Sequence, residues 1–262
     1  MSLQGHRARK RFGQNFLHDS HVIQRIVNAL NPRPGDRIIE IGPGLGALTA
    51  PLIEAAGRIE VVEIDRDLVE RLRARFPQEV LTIHSSDALK FDFCQLAETG
   101  QKLRLIGNLP YNISTPLLFH LMEQLHCIQD IHCMLQKEVI ERMAAQPGEK
   151  GYGRLSLMLQ YHCRVTKLFN VGPGAFNPAP KVESAVARLV PHARPPVQVD
   201  DYPHFAKLIS QAFSQRRKTL RNALRNYLSS EQIEATGVDP GARPETLSLL
   251  DYARLSNSRE AE

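Results

Sequence analysis

The strongest constraint on the fold is an exit that repeats along the chain: a short apolar segment stops at glycine or a polar residue, and an amphipathic segment follows. Arg37–Ile41 ends in Gly42-Pro-Gly-Leu-Gly46, and a helix is expected over 47–56, closed by Gly57. The apolar stretch 59–64 leads into a charged helix over 65–75. The stretch 80–84 ends at Ser86-Asp87, and 103–106 ends at Asn108. A helix over about 116–125 then precedes a fifth apolar stretch, 128–135. Apolar strands alternating with helices predict an α/β fold, with a parallel sheet buried on both faces.

The flanks fit around this core. Asp19 or Ser20 can cap a helix that carries Val22, Ile23, Ile26, Val27 and Leu30 on one face, and Asn31-Pro-Arg-Pro-Gly35 stops it. Segment 155–161 is open between helix and strand. Segments 165–171 and 184–190 predict a closing antiparallel pair, and 192–197 a linker, after which the pattern is helical from about Asp201. The expected division is 1–190 as the main domain, 191–200 as linker and 201–262 as a small helical domain.

Composition excludes several classes. At 262 residues, 42% hydrophobic and 23% charged, the chain is that of a soluble globular protein. No apolar run approaches the roughly 20 residues of a membrane helix, and the basic N-terminus lacks a signal peptide's apolar stretch, so a cytoplasmic protein with no membrane partner is expected. Cys94, Cys127, Cys133 and Cys163 form no CxxC pair, so four reduced thiols are expected. None of the ten histidines sits in a ligand spacing, so no metal site is expected. The net charge of +5 is clustered. Arg7, Arg9, Lys10 and Arg11 precede the first acid, and Arg216, Arg217, Lys218, Arg221 and Arg225 have no acid among them. Both clusters offer surface to a polyanion. Leu220, Leu224 and Leu228 recur every four residues, with Arg217, Arg221 and Arg225 on an adjacent face, as on one helix bearing a basic stripe.

The strand exits carry the chemistry. Glu40-Ile-Gly-Pro-Gly-Leu-Gly46 lets a ligand approach the backbone closely at a helix start. Compared with the dinucleotide fingerprint, its third glycine comes one position early, and Pro43 removes a donor that a pyrophosphate would use. Glu63 at the next exit can accept from both hydroxyls of a ribose, and Asp87 with the backbone of Ala88 can read an adenine edge. Carboxylates at three exits suit a sulfonium cation, so S-adenosylmethionine fits better than NAD. In Asn108-Leu-Pro-Tyr111, the Asn108 amide oxygen and the Leu109 carbonyl can accept from an adenine amine and localise its lone pair. Pro110 restricts the backbone and Tyr111 can stack on the base.

These stretches, together with Gly13-Gln-Asn-Phe-Leu17 and Phe176-Asn-Pro-Ala-Pro-Lys-Val-Glu-Ser184, resemble the rRNA adenine N(6),N(6)-dimethyltransferases over nearly the whole chain and in the family's order. Ser86 departs from the pattern, where glycine is common. The resemblance implies a Rossmann-like class I S-adenosylmethionine-dependent methyltransferase fold, with a seven-stranded mostly parallel sheet and a helical C-terminal domain that binds RNA. It implies cofactor contacts from Asn15, Leu17, Gly42, Gly44, Glu63, Asp87, Ala88 and Asn108, with S-adenosylhomocysteine as product. It assigns Asn108, Leu109, Pro110 and Tyr111 to the target adenine, with Phe176 stacking from the other side. One family branch acts on a large-subunit adenosine and confers macrolide resistance. Ala212-Phe-Ser-Gln-Arg-Arg-Lys-Thr-Leu-Arg-Asn-Ala-Leu224 resembles the other, small-subunit (16S) branch. That branch dimethylates two adjacent adenosines in a hairpin near the 3′ end of small-subunit rRNA, late in assembly of the 30S particle. A monomer is expected. The rival readings are a nicotinamide or flavin oxidoreductase and a noncatalytic assembly factor.

Overall fold

The computed structural model describes residues 14–215 and 218–258. The short strand β1 (Phe16–Leu17) leads into α1 (Ser20–Leu30), which Asp19 caps by accepting from the Val22 N–H. Then follow β2 (Arg37–Ile41), α2 (Thr49–Ala56), β3 (Ile59–Glu63), α3 (Arg66–Arg75) and β4 (Leu81–Ser85). The second half of the sheet begins with β5 (Leu103–Asn108), α4 (Ser114–Met122), β6 (Ile128–Gln136) and α5 (Lys137–Ala144). After α6 (Arg154–His162) come β7 (Cys163–Val171), the two-residue β8 (Phe176–Asn177) and β9 (Ser184–Pro191). The chain then continues through α7 (Tyr202–Ala212), α8 (Leu220–Ala223), α9 (Ser230–Ala235) and α10 (Leu249–Asn257).

Seven strands form one sheet in the order β4-β3-β2-β5-β6-β9-β7, as the resemblance implied. The pairs from β4 to β6 are parallel, and β9 runs antiparallel to β6. The chain builds outward from β2 to β4 on one side and from β5 on the other. The order therefore reverses between β2 and β5, and the crevice beyond their carboxyl ends is where an open α/β sheet takes a ligand. A separate two-stranded ladder pairs β1 with β8, Leu17 opposite Phe176, and the His18 N–H donates to the Ala175 carbonyl.

The opposite ends of the strands are tied by Arg104 on β5. Its Nε and Nη2 donate to the two carboxylate oxygens of buried Asp130 at 3.0 and 2.9 Å. Nη2 also reaches the Leu30 carbonyl at 2.7 Å, and Nη1 reaches Asp36 at 2.8 Å. One guanidinium thus fixes β5, β6 and the end of α1. A buried charge is tolerated only with this many partners.

Two compact units divide the described residues. One comprises the residues up to Ile140 together with Thr166–Pro191; the other comprises Glu141–Val165 and the residues from His192 onward. Segment 141–165, which the sequence reading places in the first domain, belongs to the second unit. Within that unit α6 buries Leu155, Leu157, Met158, Leu159 and Tyr161, and the Tyr161 ring lies 5.2 Å from that of Phe205 on α7. Tyr252 of α10 is fully buried and donates its hydroxyl to the Pro244 carbonyl.

Several expectations need correction. Cys94 and Cys127 are not reduced thiols but a disulfide, with Cα atoms 5.5 Å apart; Cys133 and Cys163 are free and buried. The pair meets because the single turns Phe93–Leu96 and Leu125–Cys127 are brought together in the fold, across 33 residues of sequence. The open segment 155–161 is helix, and α5 directly after β6 was not foreseen. The Leu220-Leu224-Leu228 pattern is not one helix: α8 stops at Ala223 and a turn follows, although all three leucines are buried.

Gly107 on β5 shows how closely the central strands approach. A Cβ there would lie 2.4 Å from the Ile41 carbonyl oxygen, which belongs to backbone and cannot swing away. Gly107→Ala should therefore cost more than the roughly 1 kcal/mol typical of a point substitution. Urea unfolding would measure this, and a change within about 0.5 kcal/mol would contradict the contact.

Candidate functional site

One cleft at the reversal point between β2 and β5 gathers the strand exits. It is lined by Asn15 and Leu17 from β1 and its approach, Gly42 and Gly44 from the loop after β2, and Glu63 from β3. Asp87 and Ala88 after β4, and Asn108 to Tyr111 after β5, complete it. All the expected cofactor residues therefore share one cleft.

Glu63 organises the entrance. It is buried, its Oε2 accepts from the Gly44 N–H at 3.3 Å, and its Oε1 accepts from the Asp65 N–H at 2.9 Å. Burial holds its pKa above the ordinary carboxylate value despite these two donors. Each oxygen keeps a lone pair for a ligand hydroxyl. Gly44 has φ 59°, and a Cβ there would come within 3.1 Å of the Phe16 ring, so both conformation and space require glycine. Asp65 caps α3 through the Asp67 N–H and also accepts from Gln14, which connects this corner to the segment before β1.

Asp87 spends Oδ1 on the Leu89 N–H at 3.0 Å, and among the described residues Oδ2 has no partner. That oxygen is placed to accept from an amine. Ile64, next to Glu63, exposes a large apolar side chain at the rim of the cleft, and the sequence reading passed over it. Its place in the cleft wall, next to Glu63, is what brings it to notice.

At the end of β5, Asn108 Nδ2 donates to the Asn15 carbonyl at 2.9 Å. This fixes the amide orientation and leaves Oδ1 as the end able to accept from a ligand. In the turn that follows, the Pro110 carbonyl is taken by the Ile113 N–H and the Tyr111 carbonyl by the Ser114 hydroxyl. The Leu109 carbonyl accepts no bond among the described residues, so both expected acceptors remain available. The half-buried Tyr111 hydroxyl lies 2.6 Å from Oγ of Ser184, at the fully buried start of β9. Burial raises the phenol's pKa, so it stays neutral. Sequence reasoning gave Ser184 no role; nothing local pairs it with a tyrosine 73 residues away.

Phe176 is not placed to stack on a base in the cleft. Its pairing with Leu17 carries the ring into the core beside Leu17, Ile26, Val27 and Ala175, and only 3% of the residue is accessible. It does not line the cleft, so in this conformation it presents no face to a base. Of the expected RNA-binding residues, Lys218, Arg221 and Arg225 are exposed, while Arg7, Arg9, Lys10, Arg11, Arg216 and Arg217 lie outside the described residues. Among the described residues, one group offers three side-chain metal ligands: Cys94, His126 and Cys127. Two of these are joined as the disulfide, so neither sulfur is a thiolate donor in this state.

Comparison with known proteins gives this arrangement its family. Residues 5–260 match the family described as ribosomal RNA adenine dimethylase. The chain belongs to that family. It is 58% identical over 256 residues to ribosomal RNA small subunit methyltransferase A of Pseudomonas aeruginosa, covering 97% of this chain and 96% of that protein. Among solved structures it resembles a dimethyladenosine transferase from Plasmodium falciparum, with TM-score 0.75 and 26% identity over 92% of this chain and 95% of that one. It shares its fold with the 23S rRNA methyltransferase ErmE, with TM-score 0.73 and 24% identity over 93% and 99% of the two chains.

Glu40 gives a pH signature of the family's first loop. It is buried, accepts from the Thr49 hydroxyl at 2.6 Å, and is pushed by burial from 4.5 up to about 7, with Glu63 adding to the rise. Between about 4.5 and 7 the folded chain holds this proton and the unfolded chain has lost it, so stability falls as pH rises through that window. Glu40→Gln should flatten that decline, on the order of 2 to 3 kcal/mol, in denaturant unfolding at pH 5 and pH 8. An unchanged pH dependence would contradict the assignment.

Proposed function

We propose that this chain transfers methyl groups from S-adenosylmethionine to the N6 amines of two adjacent adenosines, in the hairpin near the 3′ end of small-subunit rRNA. The products are N(6),N(6)-dimethyladenosine and S-adenosylhomocysteine, and the substrate is the assembling 30S particle in the cytoplasm. The observation that carries this reading is the cleft itself, where the ribose-type acceptor Glu63 and the amine-type acceptor Asp87 share a wall with Asn108-Leu-Pro-Tyr111. The 58% identity to a protein named for the small subunit supports that branch over the large-subunit one.

In this reading Glu63 accepts from the ribose hydroxyls of the cofactor, Asp87 Oδ2 accepts from its adenine amine, and Ile64 and Ala88 flank its ring. The target adenine enters beyond Asn108. Its amine donates to Asn108 Oδ1 and to the Leu109 carbonyl, which favours a tetrahedral nitrogen with a localised lone pair. S-adenosylmethionine would supply its sulfonium methyl to that lone pair and leave as neutral S-adenosylhomocysteine, and the methylated amine would give its proton to water without a strong base. Tyr111 stacks on the base, contributing roughly 1–3 kcal/mol. Ser184 is a positioning residue that fixes the ring through the phenol. Lys218, Arg221 and Arg225 contact the RNA backbone.

Labelled methyl transfer, followed by mapping of the modified nucleotides, tests substrate and reaction together. Small-subunit particles should gain dimethyladenosine at adjacent positions, and large-subunit rRNA should gain none. Label in large-subunit rRNA alone, or only monomethyladenosine throughout, would overturn the reading. Asn108→Ala should lower turnover on the order of 100-fold or more while leaving RNA binding intact.

Tyr111→Phe keeps the ring and removes its tether; Ser184→Ala removes the other half. Each should lower kcat about two- to tenfold, the equivalent of one hydrogen bond, with little change in cofactor affinity. Their combination should be no worse than either alone. Ser184→Thr should recover activity that Ser184→Ala loses. Losses that multiply in the double variant would remove Ser184 from its positioning role.

A further inference from the structure

The Cys94–Cys127 disulfide has no part in methyl transfer, and its surroundings suit more than one redox state. The Gln124 backbone carbonyl lies 3.1 Å from Sγ of Cys127 and 3.5 Å from Sγ of Cys94. A disulfide sulfur has no proton to donate, so the joined pair gains no hydrogen bond from that oxygen. Two thiols at the same places would both find an acceptor waiting. Access is one-sided: Cys94 is partly exposed, whereas Cys127 is buried. Exposed His126 places a ring nitrogen within 4.8 Å of both sulfurs. The remaining cysteines contrast with this pair. Burial pushes the Cys133 and Cys163 thiols up to about 12, which keeps them inert.

The same place is joined to the cleft by a short run of chain. Ser86, Asp87, Ala88 and Leu89 line the cleft, and the run continues to Cys94. Gln124 grips this run by its side chain, with Oε1 accepting from the Phe93 N–H at 2.6 Å and Nε2 donating to the Phe91 carbonyl at 3.3 Å. The disulfide is the covalent end of that clamp.

We propose that Cys94–Cys127 is a reversible thiol–disulfide site whose joined state holds the Asp87 run in its ligand-binding shape. The coupling rests on the reading of the cleft as a cofactor site. A low-molecular-weight thiolate attacks Sγ of Cys94, the Sγ–Sγ bond breaks, and Cys127 leaves as a thiolate that takes a proton with His126 at hand. A second thiolate attacks the small molecule's own sulfur in the mixed disulfide and releases Cys94. The reductant's two thiols become one disulfide, and the cysteine pair gains two electrons and two protons.

The test uses the full chain poised in mixtures of reduced and oxidised dithiothreitol, alkylated without denaturation and counted by mass. In parallel, S-adenosylhomocysteine is titrated calorimetrically and hydrogen exchange is followed over 86–94. Cys94, the accessible member, should become alkylated on reduction and protected again on oxidation, with Cys133 and Cys163 unmodified throughout. Reduction should weaken S-adenosylhomocysteine binding severalfold and speed exchange in 86–94. A Cys94→Ser, Cys127→Ser variant should match the reduced wild type under all conditions, and the reduced wild type stands in if that variant does not fold. A pair that never exchanges, or equal affinity and equal exchange in both states, overturns the proposal. No binding in either state, while the pair still exchanges, overturns the cofactor reading and the coupling with it.

Discussion

The site depends on one buried carboxylate. Glu63 sits at the end of β3 and accepts one backbone N–H from the loop after β2 and another from the start of α3. A carboxylate out of water is costly unless its lone pairs are satisfied, and here part of that satisfaction comes from the chain and part is left to a ligand. The same residue therefore shapes the glycine loop and, in the proposed function, receives the cofactor's ribose. Gly44, in a left-handed conformation close to the Phe16 ring, gives its N–H to Glu63. The corner then extends through Asp65 to Gln14, so the segment before β1 becomes part of the wall.

A rigid sheet makes that corner useful. Arg104 and Asp130 tie the amino ends of the strands, and Gly107 lets β2 and β5 meet closely near their carboxyl ends. Between these points the strand order reverses, and the exits of β2 to β5 open onto one cleft. Asn108 is then turned by the Asn15 carbonyl so that its oxygen, not its nitrogen, is available. The neutral amide is held as an acceptor, which suits shaping an amine better than removing its proton.

Features set by local pattern were legible in the sequence. The five apolar strands, the Asp19 cap and the carboxylates at strand exits follow from periodicity and from residue types at turns. What depends on distant partners was not legible. The resemblance assigns Phe176 to stack on the base, yet its pairing with Leu17 buries it. Ser184 finds Tyr111, and Cys94 finds Cys127, only because the sheet brings their elements together. The leucine repeat from 220 to 228 correctly marked buried positions, but a turn after Ala223 achieves that burial without a continuous helix.

In the proposed function, Glu63 and Asp87 build a site for an adenosine-bearing sulfonium cofactor and not for a dinucleotide. Calorimetric titration of the wild-type chain with S-adenosylmethionine, and separately with NAD, tests it most directly. One S-adenosylmethionine should bind per chain, Glu63→Ala should lose that binding, and NAD should show no measurable binding. Tight NAD binding, or a Glu63→Ala chain that binds S-adenosylmethionine as the wild type does, would contradict it.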